Sequence, residues 1–344
     1  MRRSECHEQR VDRDTPMKQK VVILTLSALL LALCVPVSAQ QSTTIPRIGY
    51  LNAVSPSTTS DRIASFRQGL RELGYVEGKN IIIESRYADG KLNRLPALAA
   101  ELVYLKVDVI VTSGGIPTRH TKEATSVIPI VMAQDNDPVG NGFVISLARP
   151  GGNITGLSTL APELTGKRLE ILKETVPRLS RLAVFGSSNY PGNKQALKEV
   201  ELAAVAFKMQ TRYLNVSSSK DIEPAFRVAV AERADAVLLM VPSGVVNSNR
   251  KEIAELAVKS RLPATYQQRE YVEAGGLMSY GVSIDDLNRR AATYVDKILK
   301  GRKPADLPIE QAKKFEFFIN LKAAKQIGLI IPPNVLARAD RVIK

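Results

Sequence analysis

Cysteine, histidine and tryptophan are scarce in this chain, which has two cysteines, two histidines and no tryptophan in 344 residues. Cys6, Cys34 and His7 all precede residue 40, so His120 is the only histidine in the rest of the sequence. This distribution excludes disulfides, cysteine nucleophiles, Cys/His zinc sites and HExxH metalloprotease helices from residues 40–344. A segment of about 305 residues without a disulfide must be held by its own apolar core, and that length is sufficient to form one.

A long apolar run occurs near the N-terminus. Met17, Lys18 and Lys20 form a short positive start, residues 21–35 form the apolar run, and residues 37–39 (VSA) give a small-residue cleavage pattern. This order is typical of a secretory signal peptide. The sequence therefore predicts export to the periplasm with cleavage near Ala39. Residues 1–16 are polar and charged, and Met17 is interpreted as the true start, with Met1 as the alternative.

Two alternatives to simple cleavage are less favoured. A membrane anchor needs roughly 20 apolar residues, whereas this run is shorter and ends at Pro36. A lipidated Cys34 would require a small residue before it, and Leu33 is large.

The chain is basic, with 48 Lys and Arg against 34 Asp and Glu, a formal net charge of +14. Residues 1–39 contain six of the basic and four of the acidic residues, so the remainder carries +12. The basic residues are mixed with glutamate along helical segments such as 194–208 and 250–261, as on a solvated surface. An exported protein does not meet the chromosome, so the sequence predicts no nucleic-acid partner.

Strand-like and helix-like segments alternate through two halves of the chain. In the first half, strands are predicted at 47–52, 81–85, 107–111 and 128–133, with helices at 58–73, 94–104 and 117–125. In the second half, strands are predicted at 181–185, 211–216, 236–241 and 262–266, with helices at 194–207, 222–231 and 250–260. This alternation predicts an α/β fold with two doubly wound parallel-sheet lobes.

The two halves also match locally. Residues 107–111 lead into Ser113-Gly114, and residues 234–239 lead into Ser243-Gly244. Two similar doubly wound halves imply a cleft between two lobes, and ligands of open parallel sheets lie beyond the carboxyl ends of the strands. We therefore expect a two-sided binding cleft whose walls come from both halves.

The glycine-rich segment 148–159 (ARPGGNITGLST) is interpreted as the turn and crossing between the halves. Neither GxGxxG nor GxxxxGK[ST] is present in the chain. The sequence therefore predicts no nucleotide site and no cofactor.

Catalysis is also disfavoured. Asp135 and Asp137 form a candidate carboxylate pair, but no nucleophile accompanies them. His120 lies in a basic stretch (RHTK) of a predicted surface helix, where a solvated histidine is the simpler interpretation.

Several blocks of sequence resemble the ABC-transporter substrate-binding proteins of the tryptophan-binding type. The resemblance runs from about residue 47 to the C-terminus, and its blocks are FRQGL (66–70), LGYVEGKN (73–80), DPVG (137–140), LARPGGNITG (147–156), GGLMSYG (275–281), LKG (299–301), PADLP (304–308) and NLKAAK (320–325). It implies a type I periplasmic-binding-protein fold with a hinge and three crossings, the second and third at 281–283 and 308–314. The implied lobes are 45–157 plus 284–308 and 159–281 plus 312–344.

The same resemblance implies a function. It predicts a monomeric, non-enzymatic protein that captures a small-molecule solute and delivers it to an ABC permease in the inner membrane. A sensor that passes its closed state to a membrane receptor is the alternative, because the same clamp serves both roles.

The loops that follow the strands give the candidate site. It comprises Asn52, Ser113, Gly114, Asp137, Asn189, Tyr190, Ser243 and Gln267. Serine hydroxyls and backbone N–H groups suit a carboxylate, and Asp137 suits an amino group, with helix capping and a turn as the respective alternatives. The predicted ligand is a small carboxylate-bearing solute, with amino acids included. Tyr190 and Tyr266 are candidates for its apolar end, and a core position is the alternative for Tyr266.

Overall fold

The computed structural model describes residues 45–344 except 160, 189, 191–192 and 241–243, and the side chains of 161–163 and 244–245 are also outside the description. The predicted signal peptide, Met17 and Cys34 lie outside the described residues. The first half contains β1 (Arg47–Asn52), α1 (Ser60–Glu72), β2 (Ile82–Tyr87), α2 (Leu95–Tyr104), β3 (Val109–Ser113), α3 (Gly115–Ala124), β4 (Ile130–Asp135) and β5 (Ile154–Ser158).

The second half continues the alternation. It contains α4 (Ala161–Thr175), β6 (Arg181–Gly186), α5 (Asn193–Ala206), β7 (Gln210–Asn215), α6 (Ile222–Ala231), β8 (Ala236–Leu239), α7 (Gly244–Ser248), α8 (Arg250–Lys259), β9 (Ala264–Tyr266), α9 (Arg269–Glu273) and β10 (Met278–Val282). The remaining elements are α10 (Ile284–Leu299), β11 (Glu310–Gln311), β12 (Phe315–Asn320), α11 (Leu321–Ile327), α12 (Pro333–Leu336) and β13 (Arg341–Ile343).

The strands form two sheets with the same internal order. The first sheet runs β11-β5-β4-β3-β1-β2 and the second runs β13-β12-β10-β9-β8-β6-β7. Every pair in the first sheet is parallel. In the second sheet β10 and β12 pair antiparallel, and the other pairs are parallel. The predicted α/β fold with two parallel sheets is therefore confirmed, with one antiparallel pair that the sequence did not indicate.

The central strands β1, β3, β4 and β5 of the first sheet are buried on both faces, which explains why they have apolar side chains on both sides of the sheet. Ile48 and Tyr50 pack toward α1 and α10, whereas Leu51 and Ile110 pack toward α2 on the other face. All four side chains have 0% exposure. Successive side chains of β1 thus point to opposite faces of the sheet, and each face packs against a layer of helices.

The chain passes between the two halves three times. After β5 it enters the second half through α4, and after β10 it returns to pack α10 against α1 and β4. It then adds β11 beside β5 and leaves again for β12. The last two passages lie side by side, since the amide of Ser283 donates to the carbonyl of Lys314 at 3.0 Å. The predicted lobe limits, 45–157 plus 284–308 and 159–281 plus 312–344, stay a prediction for the moving units.

The glycine-rich segment 148–159 contains a strand, so its interpretation as a turn and crossing was wrong in part. Residues 154–158 are not a linker but the buried strand β5, paired with β4 and β11. Ile154, Thr155 and Leu157 supply a buried strand pattern that the glycines obscured. At Gly156, φ is 136° and a Cβ would lie 2.2 Å from the carbonyl oxygen of Met132, so a glycine is needed in the strand itself.

Within the described part of the chain, no helix combines the length and the apolar character that crossing a membrane requires.

Candidate functional site

A cavity lies between the two sheets, at the carboxyl ends of their parallel strands. The first half contributes the polar side chains of Asn52, Arg62, Ser113, Gln134, Asp135, Asn136 and Thr159, and the second half contributes Tyr190, Asn247, Gln267 and Gln268. Both halves therefore form the walls, as the position of ligand sites in doubly wound sheets leads one to expect.

Five of the eight predicted site residues line this cavity, namely Asn52, Ser113, Gly114, Tyr190 and Gln267. Asp137 is not among the described residues that line it. Asn189 and Ser243 lie outside the described residues. The binding role of each of the eight stays a prediction.

Ser113 and Gly114 are held by Gln134. The Gln134 side-chain amide donates to Ser113 Oγ at 3.0 Å, and the amide of Gly114 donates to the Gln134 carbonyl at 3.1 Å. Gly114 has a φ of 100°, a conformation that favours glycine. The Gly114 N–H group is therefore already engaged, and Ser113 Oγ is held in place as an acceptor of the Gln134 amide.

Asp135 is the buried acid of the cavity, with 1% exposure. Its Oδ1 accepts hydrogen bonds from the Asp137 amide and from Asn141 Nδ2, both at 2.9 Å. Its Oδ2 has no partner among the described residues. Burial raises the pKa of Asp135 to about 7, against the hydrogen bonds that lower it. A cationic donor placed in the cavity would satisfy Oδ2 and favour the carboxylate form.

Asp137 stabilises a turn. Its Oδ1 accepts the amide of Gly140 at 2.8 Å, and its carbonyl accepts the amide of Asn141 at 2.9 Å. The contacts of Asp137 are therefore those of a turn residue, which was the alternative interpretation of this side chain. Asp135, two residues earlier, lines the cavity instead. The sequence carried part of this signal, because both aspartates follow the same predicted strand.

Arg62 was not predicted as a site residue. It lies on α1 beside the apolar stripe of that helix and is 5% exposed. Its Nη2 donates to Gln268 Oε1 at 3.2 Å and to Glu270 Oε1 at 3.0 Å. Its Nε has no hydrogen-bond acceptor in the described part of the structure. An arginine in an amphipathic helix is normally exposed to solvent, so the sequence did not indicate that Arg62 is buried.

Four buried polar atoms on cavity-lining side chains have no partner within the described residues. Two are donors, Asn52 Nδ2 and Arg62 Nε, and two are acceptors, Asp135 Oδ2 and Asn247 Oδ1. The orientation of the Asn52 amide is set by its Oδ1, which accepts the amide of Val54 at 3.2 Å. Buried polar groups are normally paired, so a site with two free donors and two free acceptors is complementary to a small molecule that carries both kinds of group.

Tyr190 closes the cavity from the second half. Asn136 Nδ2 donates to its hydroxyl at 3.3 Å, and Asn136 Oδ1 accepts from Thr159 Oγ1 at 3.0 Å. Apolar side chains complete the walls, among them Ile116, Pro117, Leu164, Val282 and Ile284.

Tyr266 has the core position that was its alternative. It is fully buried and stacks on Tyr271, with ring centroids 4.8 Å apart. It is not among the described residues that line the cavity.

The other candidate chemical groups lie apart from the cavity. His120 pairs with Glu123 on α3, with 2.9 Å between Nδ1 and Oε2. Over the described ranges, no group of three or more His, Cys, Asp or Glu side chains is arranged to hold a metal ion.

Comparison with known proteins agrees with the resemblance. Residues 47–343 match the family described as ABC transporter substrate binding protein. A tyrosine-binding protein of Clostridioides difficile is 24% identical over 282 residues, which cover 82% of this chain and 81% of that protein. A solved ABC domain from Streptococcus pneumoniae in complex with L-Trp is 26% identical, with a TM-score of 0.82 over 87% of this chain and 100% of that chain.

A conserved domain protein of Vibrio cholerae gives the same TM-score of 0.82 at 27% identity, again over 87% of this chain and 100% of that chain. A leucine-binding protein of Thermotoga maritima, at 12% identity and a TM-score of 0.58, shares the fold over 82% of this chain and 87% of that chain. The matched family is one of solute-binding proteins, not of enzymes. The extent of the match, from β1 to β13, shows that this chain belongs to the ABC transporter substrate-binding protein family.

Proposed function

We propose that the protein captures a small carboxylate-bearing solute, and specifically an amino acid, in the cavity between its two halves. The observation that carries this proposal is the set of four unpartnered buried atoms on Asn52, Arg62, Asp135 and Asn247. An amino acid presents an anionic and a cationic group a few bonds apart, which matches two donors and two acceptors around one cavity. The ligands of two relatives, a tyrosine-binding protein and an L-Trp complex, support this class.

The proposed contacts follow from charge. The carboxylate of the solute accepts from Arg62 Nε and Asn52 Nδ2, and its ammonium group donates to Asp135 Oδ2 and Asn247 Oδ1. Hydrogen bonds to charged groups contribute roughly 1.5–3 kcal/mol each, more than neutral ones. The apolar side chains of Ile116, Leu164 and Ile284 contact the side chain of the solute and determine which amino acids fit.

A thermal-shift screen of residues 40–344 against the amino acids tests the ligand class. A ligand at 100 times its dissociation constant adds about 2.7 kcal/mol of stability. We expect L-tyrosine or L-tryptophan to raise the melting temperature and the corresponding amides, which lack the carboxylate, to do so much less. Hits confined to sugars or metal ions would reject the class.

Two matched variants test the site. Asp135→Asn should abolish most of the amino-acid shift, because the carboxylate that faces the cavity is lost. Asp137→Asn is the control, since it changes the same charge two residues away and keeps the Oδ1 that accepts from Gly140. Equal shifts in the wild type and in Asp135→Asn would reject the assignment.

Delivery to an ABC permease from the periplasm completes the proposal. The support for it is the family membership and the signal-peptide pattern of residues 17–39. Mass spectrometry of the periplasmic fraction should find a mature N-terminus at Gln40. A protein recovered in the membrane with a lipid on Cys34 would instead support the lipoprotein alternative.

A further inference from the structure

Arg62 bridges the two halves of the molecule. It lies on α1, which packs on the first sheet, whereas Gln268 and Glu270 lie at the start of α9 in the second half. Its Nη2 donates to both, at 3.2 and 3.0 Å. These contacts can exist only when the two halves are as close as they are here.

The bridge is shielded from solvent. The side chain of Arg62 is 6% exposed and that of Glu270 is 22% exposed. Burial acts to raise the pKa of Glu270, but the Arg62 guanidinium holds it below its usual value. Ion pairs on open surfaces contribute little, and removing one member of a buried pair is costly because the other charge remains uncompensated. In the closed arrangement, loss of either Arg62 or Glu270 therefore leaves the other charge shielded and unpaired, whereas in an open arrangement water solvates it, so removing either member disfavours closure.

A second contact between the halves is weaker. Arg269 Nη2 lies 3.8 Å from Asp61 Oδ2 on α1, but the Asp61 side chain is 75% exposed. The close partner of Arg269 is Asp285 at 2.5 Å, at the start of α10 and beside a passage of the chain between the halves. Arg62 is thus better shielded than Arg269.

We infer that Arg62 couples occupation of the cavity to closure of the two halves. Nη2 of its guanidinium binds Glu270 and Gln268 across the cleft, and its unpartnered Nε is left for the anionic group of the solute. Only the part of this inference that concerns solute binding at Nε rests on the proposed function. A solute that binds Nε fixes the guanidinium in the orientation that reaches Glu270, so the closed form gains contacts that the open form lacks.

Distances between two spin labels test this inference. Both native cysteines lie in residues 1–39, so residues 40–344 accept labels at Lys91→Cys and Lys220→Cys without further changes. Both positions are exposed, and they follow β2 and β7 at the carboxyl edges of the two sheets. Double electron–electron resonance on the protein alone and with L-tyrosine then reports how far the halves are apart.

We expect Arg62→Gln and Glu270→Gln each to reduce the population of the short distance, and the double variant to reduce it no further. Arg67→Gln is the matched control, because Arg67 pairs with Glu77 at 2.8 Å inside the first half and its loss should leave the distances unchanged. A wild-type distribution in both Arg62→Gln and Glu270→Gln, with and without L-tyrosine, would overturn the inference.

Arg62→Lys separates the two roles. A lysine ammonium reaches one partner as a point charge but lacks the planar set of donors of a guanidinium. We expect this variant to retain the short distance without solute and to bind L-tyrosine about tenfold more weakly, the loss of one good charged contact. Unchanged affinity would overturn the solute side of the inference. If L-tyrosine and L-tryptophan leave the wild-type distances unchanged, the proposed ligand class fails, whereas the distances without solute still decide the role of Arg62 in closure.

Discussion

At the scale of single residues, we predict that Asp135 determines how solute binding depends on pH. Its pKa is raised to about 7 by burial, so below that pH the empty site contains mostly the neutral acid. The hydrogen bonds from the Asp137 amide and from Asn141 oppose this rise in pKa, as does the charge of Arg119, whereas the charge of the Asp137 carboxylate adds to it. An ammonium group needs the carboxylate form, so protonation competes with the solute.

We therefore predict that the dissociation constant for L-tyrosine rises toward tenfold for each pH unit below about 7 and changes only about twofold between pH 7 and 8. Isothermal titration calorimetry from pH 5.5 to 8 measures it. Whatever binding remains in Asp135→Asn should be independent of pH over this range. Constant wild-type affinity down to pH 5.5 would show that Asp135 does not contact the ammonium group.

The raised pKa of Asp135 also predicts how the stability of the protein depends on pH. The direction is opposite to that for an acid whose pKa is lowered by a salt bridge. The unfolded chain loses this proton near the ordinary aspartate pKa of 3.8 and the folded chain near 7, so the folded state binds more protons between these pH values. The free energy of unfolding then falls as pH rises from about 4 to 7. Asp135→Asn removes this loss, so the stability of the variant relative to the wild type should increase by on the order of 4 kcal/mol between low pH and pH 8. Urea unfolding at pH 4.5 and pH 8, without solute, measures the difference.

At the scale of elements, the packing of α1 on α10 depends on a glycine. A Cβ at Gly69 would lie 2.2 Å from the carbonyl oxygen of Arg289 and 2.9 Å from the Cβ of Ala292. The two helix backbones approach so closely because this position has no side chain. The contact matters for the whole chain, because α10 follows a passage between the halves and returns to the first sheet.

We predict that Gly69→Ala lowers the free energy of unfolding by roughly 1–3 kcal/mol, as overpacking of a close contact does. Gly166→Ala on α4 is the matched control. A Cβ there meets nothing within 4 Å, so the alanine should stabilise the helix by roughly 0.5–1 kcal/mol. Urea unfolding of both variants tests the pair, and a neutral Gly69→Ala would mean that the helices can separate without loss.

At the scale of the whole molecule, three passages of the chain connect the two halves, and we predict that the halves open and close about these passages as a hinge. A solute that contacts both walls favours the closed form by the contacts that exist only there. We predict that small-angle X-ray scattering shows a smaller radius of gyration with saturating L-tyrosine than without it. No change on addition of a solute that calorimetry shows to bind would contradict the clamp.

The sequence by itself determined the fold class and the repeated order of the elements. The prediction and the structure agree for strands such as 109–113 and 130–135, which are buried on both faces and begin with apolar runs, because those runs record the two-sided environment. Strand 154–158 was missed because its glycine and flanking turn residues mimic a linker, and the need for Gly156 arises from its neighbour β4.

The composition of the cavity was decided by the tertiary structure. The sequence indicated the loops after the strands, and therefore Asn52, Ser113, Gly114, Tyr190 and Gln267. It did not indicate which aspartate of DND faces inward, because that depends on the turn that Gly140 and Asn141 form around Asp137. It gave no sign of Arg62, because the burial of that arginine is created by Gln268 and Glu270, more than 200 residues away in the chain. Contacts at that separation follow from how the two halves meet, and a local sequence pattern does not contain that information.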